Sequence, residues 1–260
     1  MNEQNCKKSK RSLIVNLHIV RLTYRTLLFL GALTCYFFYK FKSGDSIVSS
    51  LKETPIIMWI IWVSFMLEMT LRFFPSKYES HGCQKLFESN YIKTGATEIK
   101  TDDNNATMMV AIVWVVFNCI FGTLHMQGIF DDDIMILISC AYSVCDDICI
   151  LLFCPFQTFF FKNRCCNTCR IYNWNFAMIF TPMFFVGGFI PKSLLVLSVL
   201  LLFRWEYAFY KYPERFNATT NAYLACENCQ EKLCVHKKQL KKLWKDINRF
   251  KDERIKKLSK

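Results

Sequence analysis

The sequence lacks the short motifs that identify many soluble enzymes. It contains no glycine-rich phosphate-binding loop and no dinucleotide-binding fingerprint, and it has neither an H-E-x-x-H pair nor a G-x-S-x-G elbow. Histidine is also scarce, with four residues in the chain. The sequence therefore offers few candidates for a pair of histidines that bind haem from neighbouring helices. These absences narrow the field of functions and leave the question of enzymatic activity open.

What the sequence does contain is long apolar blocks. Hydrophobic residues make up 53% of the chain, phenylalanine alone accounts for 25 residues, and the mean hydropathy is positive despite a formal net charge of +12. A helix that crosses the hydrocarbon of a bilayer needs about 20 mostly apolar residues, and several blocks reach that length. The composition therefore argues against a soluble domain and predicts an all-α, polytopic membrane protein.

Six transmembrane helices are predicted, and they lie near residues 20–40, 56–74, 107–128, 134–155, 172–190 and 193–211. Only Pro191 and Lys192 separate the last two, so a single bent or re-entrant element, and hence five spans, is the alternative. Pro182 is expected to kink the fifth span. The first block follows a basic arm but has no small-residue cleavage pattern, so we interpret it as a retained helix rather than a secretory signal.

The loops between these spans alternate in charge. Lys and Arg crowd the N-terminal arm (1–19), the 75–106 loop, the loop after span four and the 213–260 tail, whereas the opposite loops have few basic residues or, at 131–133, three aspartates. Basic loops tend to stay in the cytoplasm. The pattern predicts a multi-pass protein of the cell membrane, with both termini cytoplasmic and a transmembrane domain over 20–212. Because the basic charge follows the membrane sidedness, we expect no nucleic-acid partner.

The 213–260 tail ends in a strongly basic segment, 237–260, whose apolar residues recur at helical spacing. One interpretation is an amphipathic helix that lies on anionic lipid. The other is a solvated, partly ordered helical tail.

Fourteen cysteines are a high count for this length, and most of them fall on the predicted cytoplasmic side. Because the cytoplasm is reducing, metal binding or redox chemistry explains them better than a disulfide framework. Two C-x-x-C pairs could together complete a tetrahedral zinc site or hold an iron–sulfur cluster. The expected ligands are Cys166, Cys169, Cys226 and Cys229, with Cys165, Cys234 and His236 as substitutes and Cys154 within reach. Unligated redox thiols, with pKa values lowered by neighbouring Lys and Arg, and thiols without a special role are the alternatives.

Ionisable side chains also lie inside the predicted spans, where charge is costly and usually functional. Those in the inner half of the membrane are Arg21, Arg25, Glu68, Arg72, Asp146, Asp147, Arg204 and Glu206. Adjacent helical residues point about 100° apart, so Asp146 and Asp147 cannot share one partner, and at least one needs a cation from another span. Arg204 lies at the right depth to supply it. The layer predicts a water-accessible polar chamber open to the cytoplasm. Snorkelling of Arg21 and Arg72 to the headgroups is the simpler interpretation for those two.

Three stretches of the sequence, 143–157, 162–174 and 204–234, carry a resemblance to other proteins. They contain Ser-Val-Cys-Asp-Asp-Ile-Cys, Asn-Arg-Cys-Cys-Asn-Thr-Cys and Tyr-Pro-Glu-Arg-Phe followed by Cys-Glu-Asn-Cys. The chain resembles a family of uncharacterised, cysteine-rich, multi-span membrane proteins of anaerobic bacteria. The resemblance implies a habitat in which exposed thiols and oxygen-sensitive clusters survive, and it implies no particular function.

The first functional hypothesis is a membrane protein with a cytoplasmic-face thiolate site for zinc or an iron–sulfur cluster, and with redox or electron-transfer chemistry toward a quinone or a partner subunit. The first alternative is a transporter or channel-like protein whose substrate or ion site is the charged chamber. The second alternative is a non-catalytic subunit of a membrane complex. The lipid bilayer is the partner common to all three.

Overall fold

The structure of the chain is a computed structural model, which describes residues 12–42, 55–96, 104–161, 165–229, 231, 233 and 249. Over these residues the chain is all-helical, as the sequence predicts. The one extended pairing among them is an isolated antiparallel bridge between Lys93 and Asn221.

Among the described residues, the α-helices longer than one turn are α1 (Leu13–Lys42), α2 (Pro55–Leu71), α3 (Asn104–Met126), α4 (Asp132–Leu151), α5 (Asn175–Phe180) and α6 (Phe189–Lys211). Four of them, α1, α3, α4 and α6, are long and apolar enough to cross a membrane, whereas α2 is apolar but shorter. α1 begins at Leu13, so the end of the predicted 1–19 arm is helical. Large apolar side chains such as Leu27, Ile60 and Phe203 are exposed along these helices, which suits contact with lipid better than contact with water.

Proline and aspartate set the ends of two predicted spans. α2 stops at Leu71 and tightens through i→i+3 hydrogen bonds as far as Phe74. The next residue, Pro75, disfavours helical backbone before it, so the helix cannot continue. At the start of α4 the side chain of Asp131 accepts a hydrogen bond of 2.9 Å from the backbone N–H of Ile134, which is the usual arrangement of an N-cap.

The predicted fifth span, 172–190, is not one continuous helix. It consists of a 3-10 turn at Arg170–Trp174, the helix α5 and a second 3-10 turn at Thr181–Phe184. The kink expected at Pro182 is therefore a break, because proline has no N–H with which to continue the helical ladder. We call residues 170–184 the broken helix.

The reversal before α6 comes earlier than predicted. Pro191 and Lys192, expected to form the turn between the last two spans, belong to the first turn of α6, where a missing proline N–H costs no helical hydrogen bond. The chain reverses instead at Gly188, whose φ of +105° favours glycine. The prediction of a turn at Pro191 and Lys192 is therefore wrong.

The broken helix runs antiparallel along α6. At one end Trp174 donates a hydrogen bond to Glu206, and at the other end Lys192 donates to the backbone oxygen of Phe184. Between these contacts lies an apolar core that also includes α2 and α4. Its buried members are Phe65, Met69, Met135, Phe176, Ile179, Phe180, Met183, Val186, Leu194 and Leu201. α1 packs against α4.

Short turns follow the C-terminal ends of α2, α4 and α6. They are a helical turn at His81–Gln84, 3-10 turns at Glu88–Asn90, Pro213–Arg215 and Ala222–Leu224, and a π turn at Phe156–Phe160. The turns after α2 and α6 pack together, since Arg215 lies 3.0 Å from Glu88 and the Ala222 N–H donates to the Ile92 oxygen at 2.7 Å. They cover the end of the bundle that carries the charged residues. The predicted lipid-binding segment, 237–260, lies almost wholly outside the described residues.

Candidate functional site

The centre of the charged layer is Arg25 on α1. Its side chain has no exposed surface, and its guanidinium contacts three carboxylates: both oxygens of Glu68 at 3.1 Å, Asp146 at 3.3 Å and Asp147 at 3.2 Å. A further hydrogen bond of 3.1 Å goes to the backbone oxygen of Ser143. Helices α1, α2 and α4 therefore meet at one buried cation through charge-assisted contacts, which are among the strongest polar contacts in proteins.

Arg204 does not take this position. Its guanidinium donates to the backbone oxygen of Phe73 and lies 5.2 Å and 5.3 Å from the ring centres of Phe73 and Phe87. The prediction that Arg204 pairs with the two aspartates of α4 is therefore wrong. Residue counting gives the depth of a cation in the membrane, but it does not tell which helix faces α4, and that helix is α1.

Glu206, which was also expected in the chamber, belongs to a separate pair. One of its oxygens lies 2.6 Å from Arg170, and the other accepts a hydrogen bond of 2.7 Å from Trp174. Both partners lie in the first turn of the broken helix. This pair fixes that turn to α6 and is not part of the cluster around Arg25.

The ion pairs around Arg25 continue toward the end of the helices. Arg21 lies 2.6 Å from Glu68, and Glu79 lies 3.6 Å from both Arg21 and Arg72. Glu79 belongs to the irregular segment 75–80 and links an arginine of α1 to the arginine that follows α2. The side chain of Arg72 is only 2% exposed, so the interpretation that it snorkels to the headgroups is wrong.

The broken helix closes these contacts into a ring. Arg72 donates hydrogen bonds of 2.7 Å to Asn173 and 2.8 Å to Asn175, and the amide of Asn175 donates one of 2.7 Å to Asp146. Because Asp146 also contacts Arg25, the contacts return to their starting point. We call this set the arginine ring, and its members in order of contact are Arg25, Glu68, Arg21, Glu79, Arg72, Asn175 and Asp146.

Several polar atoms at the ring make no hydrogen bond within the described part of the chain. They include both carboxylate oxygens of Asp147, the Nε atoms of Arg25 and Arg72, and both ring nitrogens of His18. Burying an ion costs several kcal/mol that imperfect pairing does not recover, and each unsatisfied buried group costs about 1–3 kcal/mol more. Such a cluster contributes little to stability, and inside a membrane its usual reason is function.

The ring matches the predicted chamber in part. The structure brings together Arg25, Glu68, Arg72, Asp146 and Asp147, and it leaves Arg204 and Glu206 outside. The centre is closed, whereas the side chains of Glu68, Glu79 and Asp146 are 10–14% exposed. The ring therefore meets the surface at these carboxylates and at Arg21, whose side chain is 19% exposed.

Four residues at the site are not singled out by the sequence. For Asn173 and Asn175 a signal is present, because they are polar side chains at the start of a predicted span. His18 lies one helical turn before Arg21, on the same face of α1. Glu79 lies in a loop, and no hydrophobic period indicates where a loop side chain points.

The two cysteine pairs lie close together. The amide of Asn167, inside the 165–169 loop, contacts the sulfur of Cys229 at 3.3 Å, and Cys166 and Cys169 are buried while Cys226 is exposed. No three Cys, His, Asp or Glu side chains among the described residues converge in a way that could hold a metal ion. Cys234 and His236 lie outside the described residues. The metal site therefore stays a prediction.

Burial sets the acidity of two thiols at this end of the molecule. It raises the pKa of Cys169 to about 12 against the opposing charge of Lys85, and Cys154 and Cys166 add to the rise. Burial likewise raises the pKa of Cys83 to about 11, although a neighbouring arginine opposes it. Without a metal both thiols keep their protons at neutral pH. The expectation of a lowered thiol pKa is therefore wrong for Cys169, because burial raises its pKa by more than the positive charge of Lys85 lowers it.

Comparison with known proteins assigns no function to this site. No family model matches the sequence, and no curated protein or solved structure matches it. The resemblance to membrane proteins of anaerobic bacteria stays a prediction.

Proposed function

We propose that the chain is a six-span protein of the cell membrane, with both termini in the cytoplasm, and that the arginine ring is the substrate or ion site of a transporter. Four apolar helices supply four of the spans. The other two are α2, which with 17 residues is about 26 Å long, and the broken helix, which follows α6 from Glu206 to Lys192. The alternating loop charge supports this orientation, with the ring in the cytoplasmic half of the membrane.

The observation that carries the transport proposal is the environment of Arg25. Its three carboxylate partners lie on two other helices, so every ion pair of Arg25 crosses a helix interface. A movement of α1 against α2 or α4 has to break or exchange these pairs. A substrate or ion that competes for Arg25, or for its carboxylates, would therefore change which helices are held together, and transport requires that kind of coupling.

The broken helix supports the same function. Transporters commonly carry the polar groups of their sites on discontinuous helices, because unwound backbone at membrane depth is tolerated only where protein or a cavity surrounds it. Here Asn173 and Asn175, at the junction between the first 3-10 turn and α5, contact Arg72 and Asp146. A change at this junction alters contacts on both sides of the ring.

Reconstituted protein tests the transport proposal. Proteoliposomes on a solid-supported membrane are switched to solutions of carboxylates, phosphate, amino acids, or mono- and divalent cations, and the transient current is recorded. We expect a solute-dependent current that is lost in the Arg25→Gln, Asp147→Asn double variant, which keeps the charge balance of the site. Lys40→Gln removes an exposed ion pair with Asp131 and should keep the current. Folded wild-type protein without current in any solution would contradict the proposal.

The orientation has its own test. A reporter that is active only in the cytoplasm, fused after Lys260 or inserted within 161–170, should give signal at both positions. Signal at one position alone would contradict six spans with both termini inside.

A second function is favoured by the contact between Asn167 and Cys229, which brings the two cysteine pairs together. Zinc held there would clamp the 165–169 loop to the tail, and an iron–sulfur cluster would supply electron-transfer chemistry. Protein purified without oxygen is analysed for metal and acid-labile sulfide, and its visible spectrum is recorded. One zinc per chain supports the clamp, iron with sulfide supports the cluster, and protein free of metal contradicts both.

A further inference from the structure

We infer that Arg21 and Arg72 form a binding site for a singly charged carboxylate, and that Glu79 occupies this site as a tethered substitute for the ligand. The inference deepens the proposed transport function, on which its biological role rests, by naming a substrate class. The geometry of the binding site is inferred from the contacts of the arginine ring alone.

Glu79 bridges the two arginines with one oxygen each. Its Oε1 lies 3.6 Å from Arg21 Nη2, and its Oε2 lies 3.6 Å from Arg72 Nε. Both distances are longer than a hydrogen bond, whereas the contacts of Glu68 and Asp146 with arginine range from 2.6 to 3.3 Å. A carboxylate that is not attached to the loop can approach both arginines more closely and accept a hydrogen bond from each.

Unused polar groups for such an anion are already in place. Arg72 Nε has no hydrogen-bond acceptor among the described residues, and neither ring nitrogen of His18 has a partner there. The His18 side chain is buried, and the charged groups around it include Arg21, Arg72 and Glu68. Unsatisfied buried polar groups are rare in folded proteins and call for an explanation. An arginine nitrogen without a hydrogen-bond acceptor, 3.6 Å from a loosely held carboxylate, is the arrangement expected of an anion site. His18 adds an unused hydrogen-bonding group near the same two arginines.

The position of Glu79 allows it to leave. It lies in the irregular segment 75–80, and its side chain is 10% exposed, so its departure requires no helix to unwind. The partners of Arg25, in contrast, are side chains of regular helices. Release of Glu79 would remove the ion pairs that tie the segment after α2 to Arg21 and Arg72, while the incoming anion keeps the two arginines bridged.

Charge balance selects a monocarboxylate. Together with Asp147, the ring contains three arginines and four carboxylates. When Glu79 leaves, three of each remain, and one monoanion restores the original balance. A dianion such as sulfate would add an uncompensated charge in a poorly hydrated place, which is costly.

Equilibrium binding tests the inference. The full chain in detergent is titrated with sodium formate, acetate and lactate by calorimetry, with ionic strength held constant by sodium chloride. Hydrogen exchange of segment 75–80 is followed in parallel. We expect wild-type protein to bind at least one of the three anions, with faster exchange in 75–80 because Glu79 is released. Glu79→Gln removes a competitor of high effective concentration, so the same anion should bind at least tenfold more tightly.

Two further variants make the result specific. Glu88→Gln removes a loop carboxylate that is paired with Arg215 at 3.0 Å, and it should leave the dissociation constant unchanged. Arg21→Gln should weaken binding at least tenfold. Absence of binding to the wild type overturns the inference even if Glu79→Gln binds, because Glu79 is then a structural carboxylate. Binding without faster exchange in 75–80, or binding that is insensitive to Arg21→Gln, also overturns it.

The failure of this site and the failure of the transport proposal have different signatures. Carboxylate binding without current in proteoliposomes contradicts transport and leaves the binding site intact. A current carried by another solute, without carboxylate binding, contradicts the binding site and leaves transport intact.

Discussion

Arg25 Nη1 lies 3.2 Å from Asp147 Oδ2, and neither side chain has any exposed surface. The pair joins α1 to α4 in the interior of the bundle. Such a pair is expensive to assemble and more expensive to break, because removal of one partner leaves the other as an uncompensated buried charge.

Arg25→Leu should therefore lower the free energy of unfolding by about 3–5 kcal/mol. Asp147→Asn in the same chain should recover part of that loss, since it removes one stranded carboxylate. Thermal and denaturant unfolding in detergent, followed by tryptophan fluorescence, measures both effects.

Arg204→Leu is the matched control for this cycle. Arg204 contacts a backbone oxygen and two aromatic rings and no carboxylate of α4, so its loss should cost about 1–2 kcal/mol.

Strict additivity of Arg25→Leu and Asp147→Asn would mean that the two residues do not interact.

The amide of Asn175 is the second point at which the ring is vulnerable. Asn175→Leu removes one of the two acceptors of Arg72 Nη1 and one of the two donors to Asp146 Oδ2. We expect a loss of about 1–3 kcal/mol, because two charged groups each lose one hydrogen bond. Asn118→Leu is the control, because Asn118 is also buried but donates only to a backbone oxygen of its own helix. Equal losses of stability in the two variants would show that the contacts of the ring carry no special weight.

Sequence reasoning recovers the fold class because apolar blocks of membrane length are a one-dimensional signal. The predicted start of α6 is too late in the chain, because Pro191 indicates a turn in the sequence although the first turn of a helix tolerates proline. Sequence reasoning finds most of the charged layer from depth alone. The sequence places Arg204 and Arg25 at similar depth in the membrane, but it does not show which helices are neighbours. For this reason Arg204 is predicted as the partner of the two aspartates, although the helix that packs against α4 carries Arg25. Glu79 is missed because its position depends on the path of a loop.

The buried thiol of Cys83 predicts a dependence of stability on pH. Burial raises its pKa from 9.0 to about 11 in the folded chain, while Arg72 opposes the rise. The unfolded chain therefore releases this proton at lower pH than the folded chain does, and the free energy of unfolding falls as the pH rises from about 9 to 11. The contribution of this thiol over that window is about 2–3 kcal/mol.

Thermal melting from pH 7 to 11 checks this prediction. Cys83→Ser should flatten the alkaline decline by that amount, whereas Cys226→Ser, at an exposed cysteine, should leave the wild-type slope in place. An unchanged slope in Cys83→Ser would show that the thiol ionises alike in both states.

The cysteine pairs give a prediction for the second proposed function. If they share one metal ion, Cys166→Ser and Cys229→Ser should each release almost all of it, because three ligands hold a metal far more weakly than four. Each should also speed proteolysis of the 213–236 segment, since the free energy of metal binding in such sites is largely folding free energy. Metal content by mass spectrometry and limited digestion measure the two effects.

Cys35→Ser and Cys119→Ser, at exposed cysteines of α1 and α3, serve as controls and should keep the metal. Full metal content in both pair variants would contradict a shared site. Loss in one alone would indicate that the pairs act separately.

As the substrate or ion site of a transporter, the arginine ring has to open alternately to the two sides of the membrane. Ser143 reports on this directly, because its side chain is buried and its backbone oxygen holds Arg25 at 3.1 Å. The variant Ser143→Cys is treated with a membrane-impermeant methanethiosulfonate in right-side-out and in inside-out vesicles, and modification at residue 143 is located by fragmentation mass spectrometry. We expect modification from both sides. Modification from one side only, or from neither, in folded protein would contradict a transport site at the arginine ring.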